Sequence, residues 1–264
     1  MKIGFIGLGN MGSAILGGII KQGSVKPEDV IVTDKAPMAV QKAVDMLKVT
    51  AVPENTMVAE QADILFLAIK PQIYEPVIRE IASAVKDGAI VISIAPGKKI
   101  EWMDGLFGGG KKIVRCMQNT PALVGAGCTG VCANSLVSEQ EMMRVMALLN
   151  CFGKAYPVPE SLMDTVVGVS GSSPAYVFMM IEAMADAAVA DGMPRAQAYE
   201  FAAQAVYGSA KMVLDSKLHP GVLKDMVCSP GGTTIEAVRV LEEKGFRSAI
   251  IEAQKTCVDK SKNM

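Results

Sequence analysis

Short apolar runs alternate with stretches of helical spacing through the first 158 residues. KIGFI at 2–6 is an apolar run that stops at glycines, and NMGSAILGGIIKQG behind it repeats its apolar positions at helical intervals. VIVTD at 30–34 reads as a second strand and VTAV at 49–52 as a third. PMAVQKAVDML between them fits a helix with proline in its first turn. ADILFLAI at 62–69 and AIVISIA at 89–95 are apolar throughout, as strands covered on both faces are. KPQIYEPVIREIASAVKDG joins them as a helix closed by glycine, and KKIVRCM at 111–117 is a further strand. The alternation predicts a parallel α/β sheet with right-handed crossovers. GLFGGGKK at 105–112 lacks a following helix and is read as a connection.

Beyond residue 158 strand-like runs stop and every segment carries helical spacing. The pattern predicts two domains, an α/β domain over 1–158 and an all-α domain over 159–264. Helix 174–191 is apolar on nearly all faces, with Glu182 and Asp186 on one side. A small domain buries such a helix with difficulty, so a partner subunit is expected to cover it. In GSSP at 171–174, Ser173 reads as its N-cap and Pro174 as its first residue.

Composition narrows the function. A net charge of −1 gives no electrostatic case for nucleic acid or an acidic membrane surface. The start is too rich in glycine for a signal peptide, and no segment reads as long enough to span a bilayer, so a cytoplasmic location is expected. The six cysteines form no C-x-x-C pair and read as free buried thiols. With one histidine, His219, read as a cap before Pro220, no metal site is expected.

Gly7-Leu8-Gly9-Asn10-Met11-Gly12 matches G-x-G-x-x-G. It follows the strand ending at Ile6, opens a helix and leads to a second strand ending in Asp34, the context of a Rossmann-type dinucleotide-binding domain. Gly7 permits the turn, Gly9 lets backbone approach a diphosphate, and Gly12 lets helix pack on strand. Asp34 stands where a ribose-binding acid belongs and favours NADH; Lys35 beside it offsets that preference toward NADPH, and the choice stays open. Ala68-Ile69-Lys70-Pro71 and Ile94-Ala95-Pro96 end two further strands, where ligands of open α/β sheets bind.

Late in the chain, SPGGTT at 229–234 runs into IEAVRVLEEKG. Gly231 and Gly232 expose backbone N–H groups at a helix start, which suits an anion. Ser229, Thr233 and Thr234 add hydroxyl donors. N-capping by threonine is the competing reading.

With IGLGNMG at 6–12, AIKPQ at 68–72, MQNTPALVGAG at 117–127, SGSSPAYVF at 170–178 and HPGVLKDMVCSPGGTTIEAVRVLEEKGFRSAIIEA at 219–253, nearly the whole chain resembles the pyrroline-5-carboxylate reductases. The resemblance implies a Rossmann domain followed by an all-α dimerisation domain, homodimers that assemble further into decamers, and reduction of 1-pyrroline-5-carboxylate to L-proline by NAD(P)H. It implies Thr234 as the contact to the ring nitrogen, with Asn55 and Asn119 joining the cofactor contacts. Three positions depart from the family pattern: Gln118, where M-P-N-T-P is common; Pro96, in place of alanine; and Met226, in place of a frequent asparagine. The alternatives are a β-hydroxyacid dehydrogenase and a non-catalytic NAD(P)-binding regulator. The first is disfavoured because no lysine lies between Lys154 and Lys211 to take an alcohol proton.

Overall fold

The computed structural model describes residues 1–263. They form two compact units, one of residues 1–172 with 257–263 and one of residues 173–256.

The first unit is built on an eight-stranded sheet: β1 (Ile3–Ile6), β2 (Val30–Thr33), β3 (Thr50–Ala51), β4 (Ile64–Leu67), β5 (Ile90–Ser93), β6 (Lys112–Met117), β7 (Gly127–Ala133) and β8 (Gly153–Pro157). Their order is β3-β2-β1-β4-β5-β6-β7-β8. The pairings from β3 to β6 are parallel, β6 meets β7 antiparallel, and β7 meets β8 parallel. The helices are α1 (Asn10–Lys21), α2 (Pro37–Leu47), α3 (Asn55–Gln61), α4 (Tyr74–Ile81), α5 (Ile100–Leu106), α6 (Glu139–Leu149) and α7 (Met163–Val166). Strands β1, β2, β4 and β5 are buried at every position, so each face of the sheet carries its own core. On one face Phe5 stacks on Phe66 at 4.6 Å and packs with Ile15, Leu16 and Ile19 of α1. On the other, Leu65 and Val91 pack with Val77, Ile78 and Met103.

The first six strands lie inside the runs expected from the sequence. Strands β7 and β8 and helices α3, α5 and α6 were not foreseen, the residues around Asn55 having read as a polar loop, and β7 makes the sheet mixed rather than purely parallel. The two strands are masked by glycine. Gly127 and Gly153 face each other so closely that a Cβ on Gly153 would stand 2.0 Å from the Gly127 carbonyl oxygen, and a Cβ on Gly130 would meet Val166 at 2.9 Å. Close backbone approach needs glycine there, and glycine erases the apolar alternation that marks a strand. Of the 105–112 segment only 107–111 is a connection, with Gly108, Gly109 and Gly110 all at positive φ; its first two residues end α5 and Lys112 opens β6.

All six cysteines are free, but only Cys116, Cys132 and Cys151 are buried; Cys128, Cys228 and Cys257 are half-buried. Burial pushes the Cys132 thiol up to about 11, and Cys116 higher still, so both stay protonated at neutral pH.

The second unit is all helix: α8 (Ser173–Ala190), α9 (Arg195–Ser216), α10 (Pro220–Val227), α11 (Thr233–Glu243) and most of α12 (Phe246–Lys262). The compact units divide at residue 172. Strand structure ends at Pro157, but 159–172 stays with the sheet, and the end of α12 returns to it through the Ser261 hydroxyl, which donates to Asp164 at 2.7 Å.

The GSSP segment leads into α8, whose first two residues are Ser173 and Pro174. Residues Val167–Gly171 form a π-helical turn that carries the chain from α7 to Ser173 with a single bend at Ser172. The run 160–190 is in consequence long and apolar enough, by length and composition, to cross a bilayer, which corrects the expectation that no segment is. Within one chain α8 buries only Ala185; Phe178, Met179, Phe201 and Tyr207 stand 61–68% exposed on α8 and α9.

Candidate active site

The carboxyl ends of the parallel strands bring most of the expected cofactor residues to one edge of the sheet. Ile6 closes β1 and is buried, and Gly7 turns the chain at a φ of 102°. A Cβ on Gly7 would stand 2.5 Å from the Ala68 carbonyl oxygen, and one on Gly12 would stand 2.4 Å from the Gly7 carbonyl oxygen. A Cβ on Gly9 would meet nothing within 4 Å. Two glycines of the motif are therefore forced by packing, and the middle one faces open space. That space lies at the N-terminus of α1, which Gly9 caps without a side-chain hydrogen bond. The first-turn N–H groups and the helix dipole are left to a ligand, an arrangement that fits a diphosphate. Asn10 is exposed there and Met11 is half-buried against the core.

Asp34 follows β2 and binds the glycine turn directly. Its Oδ2 accepts the Leu8 N–H at 2.5 Å and its Oδ1 accepts the Ala36 N–H at 2.7 Å. Lys35 is exposed beside it. Ala68 and Ile69 follow β4, with the Ala68 N–H donating to the Ile6 carbonyl at 2.8 Å. Lys70 is exposed, and Pro71 opens a single 3₁₀ turn. Ile94 and Ala95 are buried beyond β5, with Pro96 half-buried after them. Asn55 opens α3 and donates to Glu80 at 2.9 Å. Asn119 uses both ends of its amide on the protein, donating to the Ser170 carbonyl at 3.0 Å and accepting from the Cys128 N–H at 2.8 Å.

In the second unit, Ser229-Pro230-Gly231-Gly232 is a tight turn closed by the Gly232 N–H donating to the Ser229 carbonyl at 3.0 Å. Proline second and a left-handed Gly231, φ 68°, third are the marks of a type II turn. A Cβ on Gly232 would stand 2.4 Å from the Ser229 hydroxyl oxygen, so only glycine fits. Helix α11 starts at Thr233, with Gly232 as its cap and no side-chain capping bond. Threonine capping, the competing reading, is thus not what holds this helix end. Thr233 is exposed and Thr234 half-buried in the first turn. His219 caps α10, its Nδ1 accepting the Gly221 N–H at 3.0 Å.

The description "Pyrroline-5-carboxylate reductase dimerisation" matches residues 160–264, and "NADP oxidoreductase coenzyme F420-dependent" matches residues 2–97. The pyrroline-5-carboxylate reductase of Escherichia coli is 56% identical over 263 residues, covering 100% of this chain and 98% of its own. This chain belongs to the pyrroline-5-carboxylate reductase family. A solved pyrroline-5-carboxylate reductase from Coxiella burnetii superposes with a TM-score of 0.93 at 32% identity, covering 99% of this chain and 97% of its own. A Plasmodium falciparum pyrroline carboxylate reductase solved with NADP bound superposes with a TM-score of 0.89 at 32% identity, covering 100% and 97%.

The reductase match to a dimerisation module falls on helices whose apolar faces a single chain leaves exposed. Tyr74, which the sequence reading missed, joins two of the strand ends that carry the expected cofactor residues. Its hydroxyl donates to the Leu67 carbonyl at 2.5 Å and accepts from the Ser93 hydroxyl and the Ile94 N–H, each at 3.2 Å. Burial holds its phenol well above the ordinary range, so it stays a neutral donor. A lone tyrosine at a helix start carries no signal in sequence; only the return of β5 beside β4 gives it partners.

Proposed function

We infer that this chain reduces 1-pyrroline-5-carboxylate to L-proline by hydride transfer from NAD(P)H. The observation that carries the reading is the glycine turn, closed by packing at Gly7 and Gly12 and open only at Gly9, in a chain whose full-length relatives are named for this reaction. When bound, the nicotinamide supplies the hydride. The chain's own residues hold and orient. Residues 6–12 seat the diphosphate on the α1 dipole, Asp34 and Lys35 face the ribose, and Lys70, Pro71 and Ile94–Pro96 border the ring end.

The substrate is a five-membered ring with a C=N bond and a carboxylate. Gly231, Gly232 and the uncapped first turn of α11 offer backbone N–H groups to the carboxylate, with Ser229 and Thr233 adding hydroxyls. Hydride adds to the imine carbon, the C=N π pair moves to nitrogen, and nitrogen ends as the amine of proline. The Thr234 hydroxyl is too weak an acid to protonate an amine outright. Its role is to hold the ring nitrogen by a hydrogen bond; a neutral imine takes its proton from water through this hydroxyl, and an imine bound protonated already carries it on nitrogen.

A second copy of the chain covers α8 and α9 in this reading, giving a homodimer that can assemble further into a decamer, and the enzyme works in the cytoplasm. Oxidation of NADH or NADPH on adding the cyclic imine, with matching formation of proline, tests the activity. Turnover of a β-hydroxy acid with no turnover of the imine would overturn it.

A further inference from the structure

We propose that Gln118 anchors the nicotinamide end of the dinucleotide, pairing its side-chain amide with the carboxamide group of the ring. The proposal rests on the reading above, in which the dinucleotide lies across the carboxyl ends of the strands.

Strand β6 runs beside β5 in register through Ser93 and Arg115, so the chain leaves β6 at Gln118 next to Ile94, Ala95 and Pro96. Gln118 is 6% exposed. Its Nε2 donates to the Ile94 carbonyl at 3.5 Å, the outer limit of a hydrogen bond. Its Oε1 has no partner, alone among the buried side-chain nitrogen and oxygen atoms of the described residues. Turning the amide over does not help, because the Ile94 carbonyl can only accept and an unpaired polar atom remains either way. The adjacent Asn119, equally buried, uses both ends of its amide at 3.0 Å or less. The shortfall therefore belongs to Gln118 and not to a loosely packed loop.

A buried acceptor without a donor is costly, and a native site keeps one where a partner arrives later. A primary carboxamide is the natural complement of a glutamine amide: its NH₂ donates to Oε1 while its carbonyl accepts from Nε2. The terminal amide torsion of glutamine is soft, and the bond surrendered on rotation is the long one to Ile94. Gln118 thus fixes which way the ring's carboxamide points, and with it the orientation of the ring.

Titration calorimetry separates this role from a structural one, using three kinds of probe in both their NAD and NADP forms. The first is the native dinucleotide. The second is its 3-acetylpyridine analogue, in which a methyl replaces the amide NH₂. The third is ADP-ribose, which has no ring. Gln118→Leu and Gln118→Met are expected to weaken the native dinucleotide about tenfold. The acetylpyridine analogue should change by about twofold or less, and ADP-ribose not at all. Equal weakening of all three would make Gln118 a support of its loop, and no weakening of any would leave its acceptor to water; either result overturns the proposal. Gly9→Val, titrated with ADP-ribose alone, tests the underlying reading separately, since that probe never reaches Gln118.

Discussion

The carboxylate of Asp34 is bonded to the backbone N–H of Leu8 at 2.5 Å, so the acid expected to select the ribose also braces the glycine turn proposed to hold the diphosphate. Leu8 is 3% exposed, and its N–H has no ready access to water if the carboxylate is removed. Asp34→Ala should therefore weaken both cofactors, NADH more than NADPH, because loss of the negative charge relieves repulsion of a 2′-phosphate. The expected drop for NADH is about tenfold, equivalent to one hydrogen bond to a charged group. Dissociation constants for the two cofactors check it: an unchanged NADH-to-NADPH ratio would restrict Asp34 to the bracing role.

Thr234→Ala should lower turnover on the order of a hundredfold, the cost of one preorganised donor, while NAD(P)H affinity stays within about twofold. Thr234→Ser restores the hydroxyl and should recover most of the loss. The pair of variants separates the hydroxyl from the methyl group, and full activity in the alanine variant would remove Thr234 from the chemistry.

Tyr74→Phe leaves the Leu67 carbonyl and the Ile94 N–H without their shared partner in a fully buried position. A destabilisation of about 1–3 kcal/mol is expected, with weaker cofactor binding as the ends of β4 and β5 loosen. Urea midpoints with and without NADPH measure both effects. An unchanged midpoint would mean that the strand ends are held by the sheet alone.

Glu141 sits in the capping box of α6 with Ser138, and its carboxylate accepts from Lys112 at 2.5 Å. The Lys112 hydrogen bond, with the Ser138 N–H next, pulls the carboxyl down to about 2. A depressed carboxylate contributes stability that is present above its unfolded value and is lost as pH falls through its folded one. Lys112→Met should therefore cost about 1 kcal/mol or less near neutral pH, the scale of a partly exposed pair. The gap to the parent chain should close as pH falls from about 4.5 toward 2. Denaturation midpoints at stepped pH follow it; a gap independent of pH would assign the loss to packing.

Much of the site was legible because glycine chemistry is local. G-x-G-x-x-G after a strand dictated a turn at Gly7 and a close helix at Gly12, and the structure supplies the contacts that forbid a side chain at each. SPGGTT likewise announced its turn through Pro230 and Gly231. Asn119 was a candidate for the cofactor from the sequence; that its side chain is tied to Ser170 and Cys128, partners 51 and 9 residues away, was not legible there. The Ser138–Glu141 capping box was a local signal that could have revealed α6.

By itself the sequence determined the alternation of strand and helix, the glycine turn and the end of strand structure near residue 158, because these follow from side-chain periodicity and backbone freedom within a few residues. Only the tertiary structure decided the antiparallel β7, the hydroxyl of Tyr74 between two strand ends and the unpaired oxygen of Gln118. Each depends on what a distant segment brings alongside, and no periodicity along the chain encodes that neighbour.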